Sequence, residues 1–497
     1  MRPRFDDCPR AIVRLVLCGL LSLGVSCWFA SLAMPQSKSA GGANSNGRSN
    51  VDWPAFLGPS GTGVTVDAGL ADHWPKGGPP IVWSKQIGAG YSAPSIRAGR
   101  LVVHHRQRND SIVECLRAET GERVWKVAYE SNFTDPYGYN NGPRCTPLLS
   151  DKYCYTFGAE GKLLCLELDG GKQVWARDVS KDFGVPQHFF GTGCTPILEG
   201  DLLIVLVGGQ PNSGVVAFRG ATGEVAWQSV GKSTWDGIET DWPNQPNYRW
   251  TGEEMVVSYS SPIAATIQGK RQILCLMRQG LVSLDPRDGH VNFRYWFCSR
   301  DYESVTAARP VVIGNKIFIS AAYKVGSALL EVQPGGDSFK VLWRNRTNLL
   351  AHWSTPIFRD GYLYGFSGRH EPEGELRCLD VATGKVVWST RGYEGNTDQF
   401  GVDPRTGEVM NRATGEVIPF PYFGRGSLTQ AGDRFLVLGE RGTLALAQLS
   451  PQGYKELARA SFKDIKYPAW PSPVVVGTKA YLRDENTLLC LELGQKP

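Results

Sequence analysis

No Gly-x-Ser-x-Gly elbow, P-loop or dinucleotide fingerprint in a strand–turn–helix setting occurs in the 497-residue sequence. The hydrolase, nucleotide-binding and dinucleotide-dependent classes that rely on those motifs therefore have no foothold here. No Cys-x-x-Cys pair or histidine cluster has the spacing of a zinc site. Charge of one sign is also scarce. The 53 Lys+Arg against 48 Asp+Glu leave a formal +5, and removing residues 1–33, with their four Arg and two Asp, leaves about +3. With no basic run and no nucleic-acid motif, the sequence gives no argument for a nucleic-acid partner. What is present is apolar and aromatic surface: 42% of residues are hydrophobic and 11% aromatic, ample for a packed core.

One phrase recurs along the chain. It reads Glu114-Cys115-Leu116 with Thr120-Gly121 and Trp125, then Leu164-Cys165-Leu166 with Gly170-Gly171 and Trp175. Later copies are Val216-Ala217-Phe218 with Thr222-Gly223 and Trp227, Val282-Ser283-Leu284 with Asp288-Gly289 and Phe293, and Arg377-Cys378-Leu379 with Thr383-Gly384 and Trp388. The aromatic always follows the glycine by four residues. Alternating apolar residues, a glycine turn and a second short apolar run make a β-hairpin, with glycine supplying the positive φ of the tight turn. Such hairpins bury their faces only by packing on one another. A Ser/Thr-Pro or related strand start precedes each copy, at Pro94, Pro147, Pro196, Pro262, Pro310, Pro356 and Pro473, with Leu428 in that place in the remaining unit. Each unit then holds four short antiparallel strands, the content of one propeller blade.

Eight such starts predict an all-β, eight-bladed β-propeller of four-stranded antiparallel blades. The segment Leu488–Leu493 is a third strand with no tryptophan after it, and Ile81-Val82-Trp83-Ser84 is a fourth strand with no blade before it. Together they are expected to complete one blade, the N-terminal strand joining the C-terminal blade and closing the ring without an open edge. Thr406-Gly407 and Thr414-Gly415 resemble blade turns but lack the upstream strand and the tryptophan, so they add no blade. The resulting organisation is a targeting segment over 1–33, a disordered Ser/Gly/Asn-rich linker over 34–50 and a single propeller domain over 51–497, expected as a monomer.

Arg2, Arg4, Arg10 and Arg14 precede the apolar run Leu15–Ala30, and Ser31-Leu32-Ala33 offers a small-residue cleavage site. Export to the periplasm or cell envelope is the expectation. Membrane contact would come only through retention of this segment as an anchor or through lipidation at Cys27. Nine cysteines remain beyond residue 33. Cys115, Cys165, Cys275, Cys378 and Cys490 are read as buried hydrophobes of a shared third-strand slot. Cys145 and Cys194 share another slot, where pairing stays open although equivalent positions of adjacent blades usually lie beyond disulfide reach.

The repeat of Leu-x-Cys/Ala-Leu-Asp, Thr-Gly-Lys/Glu and Trp, best in Asp380–Trp388, resembles the pyrroloquinoline-quinone (PQQ) type propeller repeat over about residues 80–497. The opening Trp53-Pro54-Ala55-Phe56-Leu57-Gly58-Pro59 is similar to that of exported bacterial members. The resemblance implies one of two functions. In a cofactor-free branch like the outer-membrane assembly factor BamB, the chain would be a binding or scaffold protein whose partner is an envelope protein, a polymer or a carbohydrate. In the quinoprotein branch it would be an alcohol or polyol dehydrogenase holding PQQ and calcium. The absence of any adjacent cysteine pair, which methanol-dehydrogenase relatives stack on the quinone, and of a Cys-x-x-Cys-His haem site favours the first.

The slot three residues before each strand start holds Tyr91, Arg144, Gly193, Tyr259, Ala307, Trp353, Arg425 and Trp470. Repeat equivalence places these around one channel mouth, where aromatic faces and guanidinium donors suit a planar anion or a sugar. The aromatics would serve equally as wedges between blades. Substituting Arg144 or Arg425 is expected to abolish ligand capture and change stability little. The long connections 232–250, with Trp235, Asp236, Trp242 and Trp250, and 391–425, with Asp398, Gln399, Asp403 and Tyr422, are expected as loop surface on the same face. Asp236, Glu239 and Asp241 form a carboxylate group with the oxygen chemistry of a calcium site, although no glycine-hinged loop accompanies it and a solvated turn accounts for it as well. No metal site is expected. His188 and His352 lie near the inferred mouth.

Overall fold

The structure is a computed structural model; it describes residues 52–494 except 67–68, 187–188, 241–247, 253–256, 302–303 and 404–407. The targeting segment and linker expected over 1–50 lie outside the described residues. The chain is an all-β propeller. Seven four-stranded sheets, one five-stranded sheet and two smaller ones account for the strands among the described residues. In chain order the first begins with strands Ser95–Arg97, Arg100–Gln107, Asp110–Arg117 and Arg123–Glu130. The next six start at Leu148–Leu149, Ile197–Glu199, Ile263–Ile267, Val311–Ile313, Ile357–Arg359 and Ser427–Ala431. In the eighth, Val474–Val476, Lys479–Arg483 and Thr487–Glu492 are joined by Ile81–Gln86, which pairs antiparallel with Thr487–Glu492.

The repeated residues explain how neighbouring sheets grip each other. Six indoles on fourth strands each donate to a carbonyl of the next sheet: Trp83 to Ala118 at 3.0 Å, Trp125 to Leu168 at 2.9 Å, Trp175 to Gly220 at 2.8 Å, Trp227 to Pro286 at 3.0 Å, Trp343 to Val381 at 2.8 Å and Trp388 to Ser450 at 2.7 Å. The rings of Trp83, Trp125, Trp175, Trp227 and Trp343 also lie against the turn glycine of that next sheet, Gly121, Gly171, Gly223, Gly289 and Gly384 in turn. A Cβ on Gly223 (φ +74°) would come within 2.8 Å of the Trp175 ring, so glycine is required both by the turn and by the indole seated on it. Phe293, lacking an N–H, packs on Phe339 instead, with ring centres 5.2 Å apart. Trp125, Trp175, Trp227 and Phe293 are buried, whereas Trp343 and Trp388 keep an exposed edge.

The Ser/Thr before the strand-start proline has its own reason. Thr146 N–H donates to Thr195 Oγ1 (3.0 Å), Thr195 N–H to Ser261 Oγ (2.9 Å) and Arg309 N–H to Thr355 Oγ1 (3.0 Å), so the hydroxyl of one sheet satisfies an inner-strand amide of the sheet before it. Apolar clusters run from sheet to sheet: first to second, second through fourth, fourth to fifth, fifth to sixth, sixth to seventh, and seventh through eighth to the first.

Residues 53–65 run along the inner strands. Trp53 exchanges backbone hydrogen bonds with Ile96, Leu149 N–H donates to Pro54, and Val64–Thr65 adds a parallel fifth strand to Ser427–Ala431. The fully buried Arg309 donates to the carbonyls of Phe56 (3.2 Å) and Gly61 (3.1 Å), its pKa pushed down to about 10 by burial. One segment thereby touches the first, second, fifth and seventh sheets.

Three expectations need correction. Cys275 lies on the second strand of its sheet, Lys270–Leu276, not in the third-strand slot, which Ser283 occupies. Trp235 and Trp250 are not loop surface. They are 0% and 6% exposed, packed against Trp296 with ring centres 5.6 and 6.3 Å away, because a connection rich in indoles gains more by folding onto its sheets than by facing water. Trp242 and Asp241 lie outside the described residues. The stretch 391–425 carries a small sheet of Phe400–Val402, Val409–Asn411 and Val417–Ile418. Cys145 and Cys194 are not joined in a disulfide, and burial raises both thiols, that of Cys194 to about 12.

Candidate functional site

All eight slot residues line a single cavity of about 300 Å³. Each is half-buried, while most of their neighbours on the inner strands are fully buried, as expected where one side of a residue faces open space. Gly193 is small for a reason: a Cβ there would sit 2.5 Å from the Tyr259 ring. Trp53, Phe56 and Leu57 also line the cavity, so the segment along the inner strands forms part of its wall. The wall is largely aromatic and continuous. From Trp470, ring centres lie 4.7 Å away in Tyr91, 4.9 Å in Trp353 and 5.8 Å in Tyr139, and Tyr139 continues to Phe190 at 5.6 Å and Phe190 to Tyr259 at 5.6 Å.

The two slot arginines do not offer free charge. Arg425 pairs with Glu440 at 2.8 Å and lies over Trp353 (4.8 Å) and Trp470 (5.4 Å), while Trp470 Nε1 donates to the same carboxylate at 3.0 Å. Burial works against the Arg425 charge, but Glu440 outweighs it and holds its pKa above the ordinary value. Arg144 pairs with Asp135 at 2.5 Å; burial lowers its pKa and Asp135 opposes that. Both carboxylates are buried, with side chains 0% and 1% exposed. The expectation that these arginines are dispensable for stability is therefore corrected: removing either strands a buried carboxylate. Tyr91 donates to Glu485 at 2.7 Å, and burial followed by that bond raises its pKa.

The expected loops contribute little. Of the described residues in 391–425 only Arg425 reaches the cavity, and of those in 232–250 none does; Asp236 is exposed, elsewhere. Tyr137 and Tyr139 come instead from the connection after the first sheet, and Arg369 and His370 from a hairpin of the sixth. The tyrosine-rich run Tyr137-Gly138-Tyr139 was a usable signal; Arg369 lies outside the repeat slot and gave none. His352 lines the cavity beside Trp353, its Nε2 3.3 Å from Tyr323 OH. Burial, then the charges of Arg425 and Arg369, push its pKa to about 3, so it is uncharged at neutral pH. His188 lies outside the described residues.

A PQQ-like family described as outer membrane protein assembly factor BamB matches residues 109–390. The chain belongs to this family. Among curated proteins nothing matches the sequence. Similar solved structures include BamB from Moraxella catarrhalis, 14% identical, covering 84% of this chain and 98% of that one with a TM-score of 0.51. The quinohemoprotein alcohol dehydrogenase from Comamonas testosteroni is also 14% identical, covering 90% of this chain and 81% of that one with a TM-score of 0.57. At these identities the likeness is one of fold, and it extends to BamB and an alcohol dehydrogenase alike.

Proposed function

We propose that this BamB-like chain is an exported, monomeric binding protein of the cell envelope, a closed eight-bladed propeller that captures an envelope carbohydrate or polymer in its aromatic mouth. Eight sheets linked in sequence by apolar clusters, with Trp83 reaching across to Ala118, support the closed ring. The observation that carries the function is that eight repeat-equivalent residues from eight sheets line one cavity. Its volume suits a ring-sized ligand. Tyr137 and Tyr139 keep 42% and 49% of their surface exposed, leaving aromatic faces for a sugar to stack on. The assembly-factor description of the family supports binding over catalysis and an envelope location.

The dehydrogenase reading asks for PQQ and calcium, and the residues do not fit that pair. Calcium takes about six to eight oxygen ligands, carboxylates prominent among them. Among the described residues no Asp or Glu lines the cavity, and Asp135, Glu440 and Glu485 are engaged by Arg144, Arg425 and Tyr91. Among the described residues no group of three His, Cys, Asp or Glu is placed to hold a metal ion.

The test is titration of the purified protein with neutral and acidic envelope oligosaccharides, read by tryptophan fluorescence and calorimetry. Saturable binding that Tyr139→Ala abolishes without moving the unfolding midpoint supports the reading. Silence toward every oligosaccharide, or quinone absorbance and dye reduction after addition of PQQ and calcium, overturns it.

A further inference from the structure

Three arginines line the mouth, and they are not equivalent. Arg144 and Arg425 are each matched by a buried carboxylate. Arg369 is not. Its backbone is fixed: Glu373 accepts from the N–H groups of Arg369 (3.0 Å) and His370 (3.3 Å), and the Arg369 carbonyl accepts from Arg425 Nη1 at 3.1 Å. Its guanidinium lies over the Tyr323 ring, 4.3 Å from the centre. That contact holds the plane of the fork but engages none of its N–H donors, and no carboxylate among the described residues comes within ion-pair distance of them. The neighbouring carboxylate that would be the obvious partner, Glu371, is engaged by Arg441 at 2.9 Å. Of the two histidines on this wall, His352 is neutral and His370 is exposed. The slot arginines therefore hold the wall together, and of the three guanidinium groups lining the cavity only that of Arg369 lacks a carboxylate among the described residues.

Resting on the carbohydrate reading above, we infer that the ligand carries a carboxylate, as a uronic acid does, and that Arg369 is the residue that reads it. A guanidinium already oriented by a ring beneath it and a backbone anchored on both sides presents its fork to a carboxylate with little further ordering. A neutral sugar would stack on Tyr137 and Tyr139 and leave that fork unsatisfied at the wall. An anion of high charge is disfavoured, because the other two guanidinium groups are neutralised by buried carboxylates of the protein. One cation selects one negative substituent. A charge-assisted bidentate pair in a half-buried cavity makes the acidic sugar bind on the order of tenfold or more tightly than its neutral counterpart.

The experiment compares oligogalacturonate with the matching neutral oligogalactose on the full chain by calorimetry, at low and at physiological salt, for the wild type and for Arg369→Gln and Arg369→Lys. The expected result is a preference of at least about tenfold for the acid, weakened by salt. It should collapse to about one in Arg369→Gln and be partly kept in Arg369→Lys, which retains charge without the fork. Urea midpoints for all three proteins report folding separately; they should coincide, since Arg369 forms no ion pair. Equal binding of both sugars by the wild type, or a preference that survives Arg369→Gln, overturns the inference while the sugar-binding mouth stands. If neither sugar binds, the mouth falls as a carbohydrate site, and this inference with it.

Discussion

Replacing Arg425 by Ala tests whether the mouth is held by its buried ion pairs. The Glu440 side chain is 0% exposed and that of Arg425 11%. The carboxylate accepts from Arg425 Nη2 at 2.8 Å, from the Arg425 backbone N–H at 2.8 Å and from Trp470 Nε1 at 3.0 Å. In Arg425→Ala the two neutral donors remain, but a full negative charge is left without a counterion where water cannot reach it. Such a broken pair costs about 3–5 kcal/mol. The exposed pair Arg219–Asp201, with side chains 52% and 72% exposed, provides the control: Arg219→Ala should cost only about 0–1 kcal/mol. Urea unfolding at neutral pH, followed by far-ultraviolet circular dichroism, measures both. The double variant Arg425→Met/Glu440→Leu, which removes both charges, should recover most of the loss, because replacing a buried pair with apolar residues is often neutral. If Arg425→Ala falls within about 1 kcal/mol of the wild type, alongside Arg219→Ala, the carboxylate is not stranded and the account of the mouth fails.

The interlock between sheets predicts that Trp175→Ala costs about 3–5 kcal/mol, and that Trp388→Ala, whose ring keeps an exposed edge, costs less; equal losses would contradict the burial difference. His104 is fully buried and held near pKa 3 by burial and by the charges of His105 and Arg483, against 6.5 when free. Its folded pKa lies below its unfolded one, so its contribution is complete above pH 6.5 and falls by about 1.4 kcal/mol per pH unit below that. Urea midpoints between pH 7 and 5 should drop accordingly, and His104→Gln should lessen the drop by its own share, the part due to His352 remaining. Deleting residues 81–86 should bare the edge of Thr487–Glu492 and cause aggregation seen by light scattering; an unchanged, monodisperse protein would mean that edge is not exposed.

The repeat made most of the fold legible. Thr-Gly-Lys-Val-Val-Trp encodes a turn and the ring that seats on the next turn, so one local phrase carries both the hairpin and the contact between hairpins. The mouth residues were legible for the same reason, since equivalent positions in a repeat occupy equivalent places around its axis. Their partners were not. Asp135 and Glu440 lie outside the slot, and nothing in their neighbours marks them as counterions. Arg369 sits on a hairpin of a single sheet, where repetition gives no guide. Trp235 and Trp250 were misplaced because an indole in a long connection reads the same whether it faces a ligand or the sheet beneath; only packing decides, and here the sheets took both.

The pairing of Ile81–Gln86 with Thr487–Glu492 joins Gln86 to Thr487, 401 positions apart, and Val64–Thr65 waits on the strand Ser427–Ala431 in the same way. During synthesis the early strand has no mate until nearly everything else has been made, and the first sheets form beside an unmatched edge. A ribosome that stops short of residue 487 therefore releases a product whose bare backbone is displayed at both of its ends. Proteases and chaperones that recognise unpaired strands need no other mark to tell the truncated chain from the finished one.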